Sequence, residues 1–293
     1  MKHTTLISRS GRASATTAVG PVFRSNARGE SAFTMVEIAL SLAVIGFGLM
    51  GVIAILPLGM NTQKENREET IINQDATYWL EAIRGGARGL DDLTNYVGAI
   101  NISTTVFNAA NMSVILQETH SYTNPAYPLE FSVPNPHPFA LTNGLRIVGL
   151  LSTPKYSLRA SPTRPELRSN YVVAYINAIS GSAVEKYPQN NPAIRGTAFK
   201  YRLTSEVIPY SCFDTNAATY DTNYWRLSRN LATNLHELRL TFHWPLLPNG
   251  KVGRGGPQSF RTMVGGWLTN VSPLNPSQAP LYFVESKSYL PAR

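Results

Sequence analysis

The sequence predicts an α+β protein in which a long N-terminal transmembrane helix packs on an antiparallel, β-rich C-terminal domain. Three observations carry this. Ile38–Met60 is an uncharged run of 23 residues, long enough to cross a hydrocarbon core of roughly 30 Å at about 1.5 Å per residue. Beyond it, Ile72, Ala76, Trp79 and Ile83 recur at helical spacing and give one apolar face. From about residue 145 onward, β-branched and aromatic residues dominate and alternation replaces the helical period.

Composition narrows the class. The chain has 293 residues, 43% apolar and 15% charged, which excludes a disordered charge-rich tail. Cys212 is the single cysteine, so no internal disulfide framework or cysteine-cluster metal site exists. It reads as a buried small apolar residue. The net charge is +8, and residues 1–32 supply half of it through Lys2, Arg9, Arg12, Arg24 and Arg28 against Glu30. The body is only mildly basic, so no nucleic-acid partner is expected.

The elements follow in order. Phe33–Met60 carries one charge, Glu37. Its apolar run is too long for the 7–15-residue core of a cleavable secretory signal, so it reads as a membrane anchor. A buried core helix is the alternative, and it would need a much larger domain around it. The basic excess precedes the span, whereas Asn61–Glu69 sets Lys64 and Arg67 against Glu65, Glu68 and Glu69. The N-terminus is therefore expected on the cytoplasmic side. Residues 61–70 are polar all round and the apolar face follows, to a stop at Gly85-Gly86. Phe33 to Arg84 is 52 residues, about 78 Å of helix, with a kink expected at Pro57 or, alternatively, a break into two helices.

Residues 87–144 read as loop, with Asn, Thr and Pro clusters interrupted by short β-like runs such as Ser113–Gln117. Arg146–Leu151, Tyr171–Ile179 and Ala198–Ile208 read as strands. A short helix is expected around Tyr224–Leu235, from Leu227, Leu231 and Leu235. Glu237–Trp244 alternates, with Leu238, Leu240, Phe242 and Trp244 on one face and Glu237, Arg239, Thr241 and His243 on the other. Pro248-Asn249-Gly250 is a turn, and Ser259–Val264 is the expected hairpin partner.

Glu37 is the anomaly. A carboxylate within an apolar span costs about 2.5–3.5 kcal/mol at the helix centre, and the helix supplies no cation. Snorkelling to the headgroups is one explanation. The residues around it point to another. Glu30-Ser-Ala-Phe-Thr-Met-Val-Glu37 strongly resembles the prepilin cleavage motif of type IV pilins and type II secretion pseudopilins.

That resemblance implies that residues 1–32 are a basic leader peptide, cleaved between Ala32 and Phe33 by a membrane prepilin peptidase that also methylates the new amine of Phe33. It implies that Glu37 pairs with the N-terminal amine of a neighbouring pilin or pseudopilin subunit. Ala32 departs from the usual Gly, so slower cleavage is expected. Gly46 matches a glycine typical of these helices, and Pro57 lies slightly later than the usual proline. Gly46-Phe-Gly48-Leu-Met-Gly51 looks most like V-type minor pilins and I-type minor pseudopilins. Asn234–Gly250 looks like the late strand of pilin-like proteins in verrucomicrobial secretion cassettes of the cassette B type.

The implied organisation is a transmembrane half-helix (33–60), an amphipathic half-helix (61–85) and a periplasmic or extracellular domain (87–293). The implied setting is a single-pass protein of a bacterial inner membrane. Gly46, Gly48, Gly51 and Pro57 each weaken a helix in water. Lipid tolerates them, or they let the stretch melt as the helix leaves the bilayer for a filament.

Catalytic signals are weak, and no enzyme activity, cofactor or metal is expected. His236 and His243 lie seven apart on a strand and point to opposite faces. Each of His3, His120, His137, His236 and His243 reads as a surface or turn residue. Gly253-Arg-Gly-Gly256 lacks the Lys-Ser/Thr of a phosphate loop. Asp91-Asp92 reads as a solvated loop, with a calcium pair as the alternative. Tyr220, Tyr224 and Trp225 read as packing or rim residues, or as an interaction surface. Two functions compete: a structural, minor filament subunit, and an anchored periplasmic binding or enzymatic domain that does not polymerise.

Overall fold

The computed structural model describes residues 33–86, 90–108, 111–127, 129, 131–134, 138–159, 166–181, 198–210, 222–253, 255–272, 275, 277–286 and 288–289. The leader with Ala32, and His3, His137, Cys212, Tyr220 and Arg254, lie outside the described residues. The side chains of Tyr224 and Trp225 do also.

The chain divides into two compact units, Met1–Gly59 and Met60–Arg293. In the first, residues 33–59 are all exposed. Residues 35–59 belong to helix α1 (Met35–Arg84), which continues through Pro57 as one element. The two-helix alternative does not hold. α1 is long and apolar enough to cross a membrane.

The second unit begins in α1. Ile72, Ala76, Trp79 and Ile83 are fully buried, as the helical spacing predicts, and Ile71, Asp75 and Ala82 join them. α1 ends at Arg84, and Gly86 takes φ +55, a left-handed conformation suited to Gly. An added Cβ there would also strike the Val284 carbonyl.

The main sheet has eight strands among the described residues: β1 (Val97–Asn108), β2 (Val114–Thr123), β3 (Phe139–Ala140), β4 (Tyr156–Arg159), β5 (Glu166–Asn177), β6 (Lys200–Pro209), β7 (Leu235–His243) and β8 (Gln258–Gly265). Their order is β3-β2-β1-β5-β6-β7-β8, with β4 also pairing on β5. These strand pairings are antiparallel except β2 with β3. A separate antiparallel pair joins β9 (Trp267–Val271) to β10 (Leu281–Glu285).

Two helices complete the unit: α2 (Gly144–Leu151) and α3 (Thr222–Asn234). α3 meets the expectation for residues 224–235. α2 overturns the expected strand at Arg146–Leu151. Asn143 caps it, its side chain accepting from Arg146 N at 2.8 Å. All but Leu145 and Arg146 of its residues are buried. A segment apolar on nearly every side has no readable period, and its β-branched content resembled a buried strand.

The expected loop across 87–144 is also corrected, since it contains β1 and β2. β1 pairs on both edges and is buried at its first six residues. Such a strand shows no polar–apolar alternation.

The core lies on one face of the sheet. Val172, Ala174 and Ile176 of β5, Tyr201, Leu203 and Val207 of β6, and Leu238, Leu240 and Phe242 of β7 share it with α1 and α2. The alternation predicted for β7 holds, and β8 is its hairpin partner across the turn near Gly250. Ser205 Oγ donates to the Leu151 carbonyl at 2.7 Å, tying α2 to this face. The opposite face carries a mixed-sign network. Glu206 pairs with Lys155 at 2.6 Å and Arg239 at 3.5 Å, and Glu237 pairs with Arg239 at 3.0 Å.

Candidate functional site

The start of α1 positions Glu37. Thr34 stands at the N-cap and Glu37 three residues into the helix. Glu37 N donates to Thr34 Oγ1 at 3.3 Å, and Thr34 N donates back to Glu37 Oε2 at 3.0 Å. Thr34 Oγ1 also donates to that oxygen, at 3.1 Å. This is a reciprocal capping box, Thr-Met-Val-Glu. It satisfies two of the four orphan N–H groups at a helix start, and it holds the carboxylate at the positive end of the helix dipole.

The Thr-x-x-Glu spacing was visible in the sequence, and its capping role was missed beside the charge argument. The cap supplies hydrogen bonds and no cation. Phe33, one residue before Thr34, is 80% exposed. The remaining predicted positions on α1 do not gather around this cluster. Gly46, Gly48 and Gly51 lie along the helix, and an added Cβ at any of them meets nothing within 4 Å. No contact among the described residues requires glycine there. Pro57 lies farther along, inside the helix.

A second cluster fixes α1 to the domain, and sequence reasoning missed it. Asp75 is fully buried. Its Oδ1 accepts from Ser180 N at 2.8 Å, and its Oδ2 from Ile179 N and Tyr201 Oη, both at 2.9 Å. Tyr201 Oη in turn accepts from Trp79 Nε1 at 2.9 Å. Burial, then the adjacent Asp75 charge, push the Tyr201 phenol well above its ordinary 10. The available signal was an acidic residue on the apolar stripe, one position before Ala76.

A polar cleft lies between the core-side face of β1, β2 and β5 and the segment that leads into β10. His120 Nε2 stands 3.5 Å from Glu118 Oε2. Thr104 Oγ1 donates to Asn170 Oδ1 at 2.8 Å, and Asn170 Nδ2 to the Pro154 carbonyl at 2.8 Å. Arg168 reaches Glu166 at 3.6 Å.

The other candidates disperse. His236 is buried on the core side of β7, correcting its expected surface position, and burial lowers its pKa from 6.5. His243 is half-buried on the other face, and its pKa is lowered too, by burial and by Arg202. Asp91 opens a 3-10 turn (Asp91–Asn95) and accepts from Gly144 N at 3.2 Å. Gly144 is needed there, since an added Cβ would overlap the Leu90 carbonyl. Among the described residues, no group of three or more His, Cys, Asp or Glu side chains could hold a metal ion. No protein-family model, curated protein or solved structure matches the chain.

Proposed function

We propose that the chain is a structural, minor subunit of a type IV pilus-like or type II secretion filament, held in a bacterial inner membrane and assembled through α1. One observation carries this: a single carboxylate, capped by hydrogen bonds and with no cation paired to it among the described residues, at the start of an exposed apolar helix and just after a basic leader. A membrane prepilin peptidase would cut between Ala32 and Phe33. The cut removes the leader's positive charges and creates one amine, four residues from Glu37.

Two opposite charges that are each costly in lipid become compatible when subunits stack. An antiparallel domain that buries the second half of α1 supports the reading. So do the glycines of the first half, which no contact among the described residues explains. The N-terminus would face the cytoplasm, and the domain the periplasm or the filament surface, where it would meet cargo. No catalysis is assigned to the domain.

The deciding experiment is mass spectrometry of protein from the native cell. An N-methylated Phe33 terminus is expected. An intact leader overturns the proposal. The polar cleft at His120, Glu118 and Arg168 favours the alternative, an anchored periplasmic binding or enzymatic domain that never polymerises. That alternative retains its leader or stays monomeric after cross-linking in cells.

A further inference from the structure

The polar cleft interrupts a pattern that the rest of the sheet keeps. On β5, Val172, Ala174 and Ile176 face the core. Side chains two residues apart share a face, so Asn170 and Arg168 continue that face. The register sets Thr104 of β1 beside both Asn170 and Glu118, and Ile102 beside His120. The core face therefore turns polar at one end, against a wall that includes Asn270, Gln278, Pro280 and Tyr282. The cavity there is about 660 Å³, within the roughly 300–1,000 Å³ of sites for small organic ligands.

We propose that this cleft binds a short, uncharged oligosaccharide. Its charges are answered locally. His120 stands 3.5 Å from Glu118, and Arg168 lies 3.6 Å from Glu166, so no strong excess of either sign selects an ion. The rest of the polar lining is neutral amide and hydroxyl, including Thr104, Ser157, Asn170, Asn270, Ser272 and Gln278. Such groups both donate and accept, as sugar hydroxyls do. Two of them are held in place. Thr104 Oγ1 donates to Asn170 Oδ1 at 2.8 Å, and Asn170 Nδ2 to the Pro154 carbonyl at 2.8 Å. Each of the two side-chain oxygens has a second lone pair, and groups fixed before binding lose less freedom on binding. Arg168 Nε is buried with no acceptor among the described residues, and a ligand oxygen that re-aims the guanidinium supplies one.

Apolar surface completes the match. Ile102 and Pro280 line the cleft, and Tyr282 adds an aromatic ring. Burial raises the Tyr282 phenol above its ordinary 10 and Arg168 opposes the rise, which sets the ring near the guanidinium. A sugar has C–H faces to cover such surface, whereas phosphate or a metal ion has none. The lining lies wholly within the second unit, so occupancy is read independently of leader cleavage and filament assembly.

The test is titration calorimetry of the full chain, in a detergent without a sugar headgroup, against maltotriose, cellotriose, mannotriose and triacetylchitotriose. Saturable binding of at least one is expected, at one site per chain. For that sugar, Asn270→Ala/Gln278→Ala should weaken binding about tenfold through lost hydrogen bonds, and Tyr282→Leu a few-fold. Arg261→Gln, on β8 outside the cleft, should leave it unchanged. Failure of all four sugars to bind, or binding that both cleft variants leave intact, overturns the proposal. Tighter binding of trialanine, lost in Arg168→Gln, overturns it in favour of a peptide terminus. Displacement of the sugar by millimolar inorganic phosphate overturns it in favour of an anion.

Discussion

Replacing Glu37 by Gln removes the charge but keeps an acceptor that can reach back to Thr34 N, since Gln also serves in capping boxes. Replacing it by Ala removes both. Thr34→Ala breaks the cap and keeps the charge. If Glu37 acts through its charge, Glu37→Gln and Glu37→Ala should both insert and be cleaved normally yet fall about tenfold in filament incorporation, with Thr34→Ala close to wild type. Co-sedimentation with sheared filaments measures this. If capping dominates, Glu37→Gln tracks wild type and Thr34→Ala fails. The Asp75–Tyr201–Trp79 chain yields a second residue-scale expectation. Tyr201→Phe strands the Trp79 Nε1 donor and removes one of three hydrogen bonds to a buried carboxylate. The unfolding free energy should fall by about 1–3 kcal/mol, read by denaturant titration of the full chain in detergent.

Among the elements, α1 combines an exposed apolar half and a half that builds the core. Gly46→Ala, Gly48→Ala and Gly51→Ala meet no steric obstacle, and each should favour helix by about 1 kcal/mol in an aqueous reference. If melting of this stretch serves assembly, the triple variant should insert normally and assemble poorly. Immunoblotting of membrane and filament fractions separates those outcomes. α1, α3, β7 and β8 were legible because each couples an amphipathic period to a stop or turn signal. α2 and β1 were not, because elements covered on several sides lose the contrast between polar and apolar positions. β9 and β10 are five residues each, too short to establish a period.

For the whole molecule, acid should destabilise the domain. Burial holds the His236 pKa below 6.5 in the folded state, so the unfolded chain binds the proton first. The stabilisation is complete above pH 6.5 and is lost as pH falls through the folded value. His243 shifts in the same direction. Melting temperatures from pH 8 to pH 5 should decline below 6.5, and His236→Leu should flatten part of that slope. At the alkaline end the sign reverses. The raised Tyr201 phenol contributes fully below pH 10 and less as pH climbs above it.

The linear chain determined the apolar helix, its stop at Gly85-Gly86, the face that packs and the alternation of β7, because periodicity and turn chemistry are local properties. It also placed Glu37 at the head of an apolar run, and the Thr34 spacing that caps it was there to be read. Only the tertiary structure decided that Asp75 would be buried beneath Tyr201, that Arg146–Leu151 would coil into a helix and that Lys200 would line one crevice with Lys64 and Arg67. Each depends on partners more than 50 residues away, and no local pattern encodes which distant segment will supply them.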